Sequence, residues 1–336
     1  MLCSVMATFS PAPPPSPSVP SVPGDLHLHA VTAADHPRLA DFLSACHPEQ
    51  SVTAADLDRL AAGRLPGEVY SGTLAMRGET PVGLAEVSIP RMDGHPGWLE
   101  VTARAADPAL GAALLDLAEA QALAHTPHTL VTRVREDWWE RALYEARGYA
   151  EHDRMWLSTL DLTTLEVGRF TAYEERTRAA GVTIRPLSDF GPFDEAAQRR
   201  LYALMAAVLR DVPSATPVSV WPFETWQRRM VPHLHHPEGL FIASAPDGEW
   251  IGLSELHAPY GGRPGTVRNG LTGVLGAWRG HGVAFSLKLA AARAARERGY
   301  THARTGNHNA NAPMLGINAA LGFVREPATL TLVRKL

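Results

Sequence analysis

The sequence predicts an α/β fold built twice in one chain. Three observations carry that reading. A strand at 271–275, a glycine turn at 279–284 and a helix at 285–298 follow one another, the helix marked by apolar residues at helical spacing. The same order of strands and helices runs through both halves. The chain has 336 residues, enough for two hydrophobic cores.

From the N-terminus, residues 1–24 are dominated by Pro, Ser and Val and are expected to be a disordered tail, with no basic n-region or apolar run of a secretory signal. The first half, 25–163, then predicts a strand at 26–31, helices at 37–45 and 54–62, and strands at 69–76, 82–89 and 98–104. A helix at 108–125, a strand at 130–134, a helix at 138–147 and a strand at 152–162 complete it. Residues 164–181 are charged and helix-prone and predict a connector that stops at Gly181. The second half, 182–336, repeats the order: a strand at 182–187, helices at 193–209 and 223–231, and strands at 240–245, 250–257 and 267–275. After the turn and helix come a strand at 301–305, a helix at 311–320 and a strand at 329–334. Gly111 aligned with Gly282, and Gly148 with Gly322, give nearly equal separations, the mark of a tandem duplication.

Composition narrows the function. A formal net charge of -4 gives no electrostatic case for nucleic acid as a partner. Two cysteines, Cys3 and Cys46, support neither a disulfide framework nor a cysteine metal site, and no apolar run reaches membrane-spanning length. A soluble, cytoplasmic protein is expected, monomer or homodimer, with no metal. The histidines at 233, 235 and 236 lack a nearby Cys and are read as a polar loop. His27 and His29 alternate on a strand, which suits an exposed face.

The turn carries the chemistry. N–H groups at a helix start have no intrahelical partner and sit at the positive end of the helix dipole, so a phosphate is stabilised there. Gly280 and Gly282 let the backbone approach the anion, and Arg279 adds a cation at the rim. A pyrophosphate is the natural ligand.

Arg279-Gly280-His281-Gly282-Val283-Ala284 fits R/Q-x-x-G-x-G/A, and Asn311 and Leu321-Gly322-Phe323 follow a closing N-x-x-A…G-F pattern, with Met314 at its alanine position. With these two linked motifs the second half resembles the GNAT acetyltransferase superfamily, and the chain a tandem member of it. The resemblance implies two GNAT domains, each a mixed, mostly antiparallel twisted sheet with helices on both faces. It implies acetyl-CoA as acyl donor and direct transfer, in a ternary complex, to a primary amine of a small molecule or peptide. Thr272, Val274, Arg279, Gly280, His281, Gly282, Val283, Ala284, Asn311 and Asn318 are the implied cofactor-binding residues. The thioester arm should lie along 271–275, beside a splayed and often bulged strand. The layout is similar to that of mycothiol synthases, a worn first domain and an active second one.

Two positions depart from the family. The tyrosine that protonates the leaving thiolate falls on Asn318, which is no acid, while its counterpart in the first half is Tyr144. In the first half the turn carries Pro108 and Ala109, with Asp107 beside them, so that half is expected to have lost its cofactor site. For a base, Glu255 and His257 stand two residues apart on one strand and share a face; the competing reading is a pair of solvated residues near a strand end. Asn307 and Asn309 are helix-cap candidates like Asn311. Trp138 and Trp139 are expected in the core or between the halves, and Asp211–Pro213 and Trp221–Phe223 near an acceptor pocket. A second function fits the same motifs, a non-catalytic acyl-CoA-binding or regulatory protein that keeps the cofactor site without an acid.

Overall fold

The computed structural model describes residues 25–336, apart from 91–95, 214–219, 235–238 and 258–262. The expected tail at 1–24 and His235 and His236 lie outside the described residues. In the first half, β1 (His27–Ala30) leads into α1 (His36–Cys46) and α2 (Ala54–Ala62), and then β2 (Tyr70–Arg77), β3 (Thr80–Ser88) and β4 (Trp98–Ala105). There follow α3 (Pro108–Leu123), β5 (Thr129–Arg135), α4 (Glu140–Glu145) and β6 (Ala150–Asp161). The connector carries α5 (Thr171–Ala179). The second half runs β7 (Thr183–Pro186), α6 (Glu195–Arg210), α7 (Phe223–Met230), β8 (Leu240–Ser244), β9 (Trp250–His257) and β10 (Thr266–Val274). It closes with α8 (Val283–Glu297), β11 (His302–His308), α9 (Ala312–Leu321), β12 (Val324–Arg325) and β13 (Thr329–Lys335).

Side-chain caps set several boundaries. Asp194 accepts from the Ala197 N–H (3.0 Å) and starts α6, and Asn311 accepts from the Met314 N–H (3.3 Å) and starts α9. α4 is shorter than the expected 138–147 because Trp138 donates its N–H to the Arg135 carbonyl in a turn, so the helix begins only at Glu140. α8 begins two residues earlier than the apolar spacing predicts, since the turn ends at Gly282.

One sheet runs through the whole chain, in the order β1-β2-β3-β4-β5-β13-β6-β11-β10-β9-β8-β7, with β12 paired to β6. It is mixed and mostly antiparallel; among the described strands only β4–β5 and β10–β11 pair in parallel. The halves join because they exchange their final strands. β6 starts beside β13 and continues along β11 of the second half, from Met155↔His308 to Asp161↔His302. β13 returns to the first half and pairs with β5, from Thr329↔Arg135 to Lys335↔Thr129. Leu330 and Leu332 are thus fully buried in the first half's core, while Leu160 is buried in the second's. At about 1.5–3 kcal/mol for each buried leucine, the exchange couples the stability of the two halves. Each half sandwiches its part of the sheet: α3 against α1 in the first, α8 against α6 and α7 in the second.

Candidate functional site

The second half opens between its two parallel strands. β10 and β11 pair only over Thr266↔His302 to Arg268↔Arg304, although β10 runs on to Val274 and β11 to His308. Beyond that point β11 stays with β6 and β10 stays with β9, so the strands diverge. On the β9 side the register of β10 shifts between Asn269 and Thr272, a bulge that turns the strand away from its parallel neighbour. Gly273 lets β10 pass close to α6, since a Cβ there would lie 2.1 Å from the Val208 side chain.

At the end of the splay the chain turns into α8. Gly280 and Gly282 have φ of 82° and 78°, where a side chain is strained, and a Cβ on Gly282 would also lie 2.7 Å from the Tyr173 carbonyl oxygen of α5. Gly282 is the N-cap of α8 and offers no side-chain cap, so the first N–H groups of a 15-residue helix, those of Val283 and Ala284 among them, have no capping side chain and sit at the positive end of its dipole. α5 braces the turn from behind: the Thr177 hydroxyl donates to the His281 carbonyl (3.1 Å) and lies 2.9 Å from the Ser286 hydroxyl. The Arg279 guanidinium reaches back, donating to the Val274 carbonyl (3.2 Å) and to Asp211 (2.7 Å) at the end of α6. His281 is exposed at the rim.

On the α6–α7 face, Glu255 and His257 do share a side, and both are buried rather than solvated. One oxygen of Glu255 accepts from the Leu271 N–H inside the bulge (3.0 Å) and lies 3.3 Å from His257 Nε2. The other oxygen is buried without a hydrogen-bond partner. Gly270 makes room for both groups, because a Cβ there would lie 2.1 Å from His257 Nε2. A buried carboxylate with an open oxygen beside a splayed strand can accept a proton or hold a cationic group.

Residues 193–323 match the model of the acetyltransferase (GNAT) family. That segment contains the turn, the splayed strand, Glu255 and the Asn311 motif. Residues 193–323 form a GNAT domain. Solved structures extend the likeness to the whole fold. A tandem GNAT protein from the clavulanic acid biosynthesis pathway has a TM-score of 0.69 at 19% identity, over 92% of this chain and 98% of its own. A GCN5-related N-acetyltransferase from Sphaerobacter thermophilus has 0.68 at 18%, over 94% and 97%. One from Kribbella flavida has 0.51 at 15%, over 88% and 95%. No curated protein matches the sequence.

On the other face of the GNAT domain, toward α8, the splay is lined by polar groups. Lys288 of α8 donates to Asn269 Oδ1 (2.5 Å), Asn269 Nδ2 donates to the Ser254 hydroxyl (3.2 Å), and that hydroxyl lies 2.9 Å from the Thr272 hydroxyl. Lys288 is 3% exposed, and burial pulls its ammonium pKa down to about 7. Asn318 donates to Asn307 (2.6 Å) and keeps a buried, unpartnered Oδ1, whereas Asn309 accepts from Trp156. The sequence reading missed Lys288, Asn269 and Ser254. The available signal was a lysine inside the apolar run 283–292.

The first half supplies an internal control. Gly83 and Gly252 are matching positions, each facing a helix leucine, Leu114 and Leu287, that a Cβ would crowd (2.3 and 3.2 Å). That register matches Gly111 to Ala284, two residues from the sequence alignment, because β4 reaches α3 with only two residues between them. It matches Asp107 to Gly280. The Asp107 carboxylate caps α3, accepting from the Leu110 N–H (3.0 Å), and Trp139 lies over the start of that helix, 2.6 Å from where a Cβ on Gly111 would be. β4 and β5 also pair over three residues only, but β4 has no bulge against β3. The buried Tyr144 hydroxyl accepts from the Ala103 N–H (2.9 Å), and Ala103 matches Thr272. Trp138 stacks on His47 at 3.6 Å, with the Arg104 guanidinium 4.9 Å from its ring. The carboxylate is common to both halves: Glu86 matches Glu255, and burial raises the pKa of Glu86.

The described residues contain no cluster of three His, Cys, Asp or Glu side chains suited to a metal, and no helix long and apolar enough to cross a membrane. A cavity of about 490 Å³ lies elsewhere, between Asp161, Glu166, Arg169, His302 and Arg325, away from the turn.

Proposed function

We propose that the second half binds acetyl-CoA and transfers its acetyl group directly to a primary amine of a small molecule or peptide. The observation that supports this most is the uncapped N-terminus of α8 opening onto the splayed strand. The N–H groups from Gly280 to Ala284 hold the pyrophosphate, with Arg279 and His281 at the rim. The unpaired edge of β10 around Thr272 and Val274 takes the arm and fixes the acyl carbonyl by backbone hydrogen bonds. The donor supplies the thioester, whose carbonyl carbon the amine attacks.

Glu255 acts on the amine. Its open oxygen receives the ammonium proton, and its other oxygen, held by the Leu271 N–H, keeps the carboxylate aimed. His257 buttresses that carboxylate. Asn311 caps α9 and so fixes the wall of the slot, and Asn318 orders Asn307 beside it. The first half serves as a scaffold, with Asp107, Trp139 and Tyr144 occupying the places a donor would need.

A binding-only role is the second reading, favoured by Asn318, which cannot protonate a thiolate. The test is a melt with acetyl-CoA at about 1 mM, expected to raise Tm by about 5 °C or more, followed by an amine screen that detects released thiol. No shift in Tm rejects both readings. Binding with thiol released in the presence of one amine selects the transferase.

A further inference from the structure

The two halves also differ in the polar side chains that surround Lys288. Lys288, Asn269 and Ser254 are buried and form one hydrogen-bonded chain in the second half that ends on the half-buried Thr272. The matching residues of the first half are Leu115, Val101, Ala85 and Ala103, all apolar and all packed into its core. The fold therefore does not need polar groups at these positions. A buried ammonium held by one amide costs stability that a leucine would not.

The chain of contacts points to where that charge acts. It ends on Thr272, the counterpart of Ala103, whose N–H is the one the Tyr144 hydroxyl reaches in the first half. The second half has Asn318 in place of that tyrosine, so an acid is missing on the same face of the sheet on which Lys288 is buried. We propose that Lys288 supplies the positive charge and the proton for the CoA sulfur as it leaves, with Asn269, Ser254 and Thr272 holding it against the splay. This rests on the acetyl-CoA reading of the site. As the carbon–sulfur bond breaks, its electron pair stays on sulfur. Sulfur then takes one proton from the Lys288 ammonium, giving the CoA thiol and a neutral amine. The amine regains its proton from solvent when the slot reopens, while the two protons lost by the acceptor nitrogen, one before its attack and one after it, leave in turn through Glu255.

The surroundings suit that exchange. Around Lys288 stand Leu160 of β6, Leu256 of β9, Ala303 of β11, Leu321 of α9 and Phe323, whose ring centroid is 5.0 Å from Nζ. Asn269 is the polar exception, and none of these groups titrates. Burial alone brings the ammonium to about 7, close to where a proton passes readily to a thiolate at neutral pH.

The experiment follows the thiolate ultraviolet absorbance of CoA bound to the full chain as pH is raised. In the wild type the ammonium and the bound thiol share protons, so part of the thiolate absorbance should appear about one to three units below free CoA, where the thiolate holds the ammonium charged. In Lys288→Leu, which copies Leu115 and should fold, the bound thiol should titrate at or above free CoA. Lys288→Gln keeps a donor to Asn269 without the charge and should behave like the leucine variant. Equal titrations in wild type and both variants would overturn the role of Lys288. A wild type that binds no CoA would instead overturn the acetyl-CoA reading beneath it.

Discussion

At the turn from strand to helix, the first half places the Asp107 carboxylate on the N–H of Leu110, and the second half leaves the start of α8 uncapped. The same exchange of self for ligand recurs along the splay. Tyr144 fills the N–H of Ala103 in one half, and the matching Thr272 stands free of any such tyrosine in the other. Trp139 lies over the start of α3 at Gly111, whereas the turn before α8 has open space around Gly280. A site can thus be closed within a preserved fold by letting the protein's own groups make the hydrogen bonds a ligand would make. The second half differs by a bulge, a longer turn and a set of buried polar groups.

The comparison breaks most visibly if the turn is spoiled. Gly282→Val forces a side chain into φ of 78° and against the Tyr173 carbonyl, and should lower CoA affinity about 100-fold or more, measured by calorimetry. Glu255→Gln should cut turnover on an identified amine about 100-fold with CoA binding unchanged, while Glu86→Gln at the matching position leaves turnover alone.

A third outcome concerns pH. The folded pKa of Lys288, about 7, lies below its unfolded value of 10.5, so between them the unfolded chain binds more protons. The stability of the wild type relative to Lys288→Leu should therefore rise with pH from about 7 to about 10.5, by about 1 kcal/mol per unit, in paired urea melts. Below pH 7 both states are charged and the wild type carries the full penalty. The smallest effect is expected from Asp107→Ala. It removes the α3 cap and should cost about 1 kcal/mol without creating a second CoA site, because Trp139 and Tyr144 remain in place.

The turn, the helix behind it and the repeated order of elements were legible in the sequence because each rests on local signals: glycines at positive φ, apolar spacing, and caps such as Asn311. The strand exchange was not. β6 and β13 read as ordinary closing strands, and nothing local says which sheet they enter. The match of Gly111 to Gly282 missed by two residues since the first half shortens its turn, a deletion invisible when only landmarks are aligned. Glu255 was found by its alternation with His257, but its burial depends on the bulge in β10. Lys288 was passed over because one charge in an apolar helix stripe gives no hint of its partners on β9 and β10.

The central claim, one half open and one half closed, is tested most directly by calorimetric titration of the full chain with CoA. One equivalent should bind per chain, be lost in Gly282→Val and persist in Asp107→Ala. Two equivalents, or one that survives Gly282→Val, would contradict it.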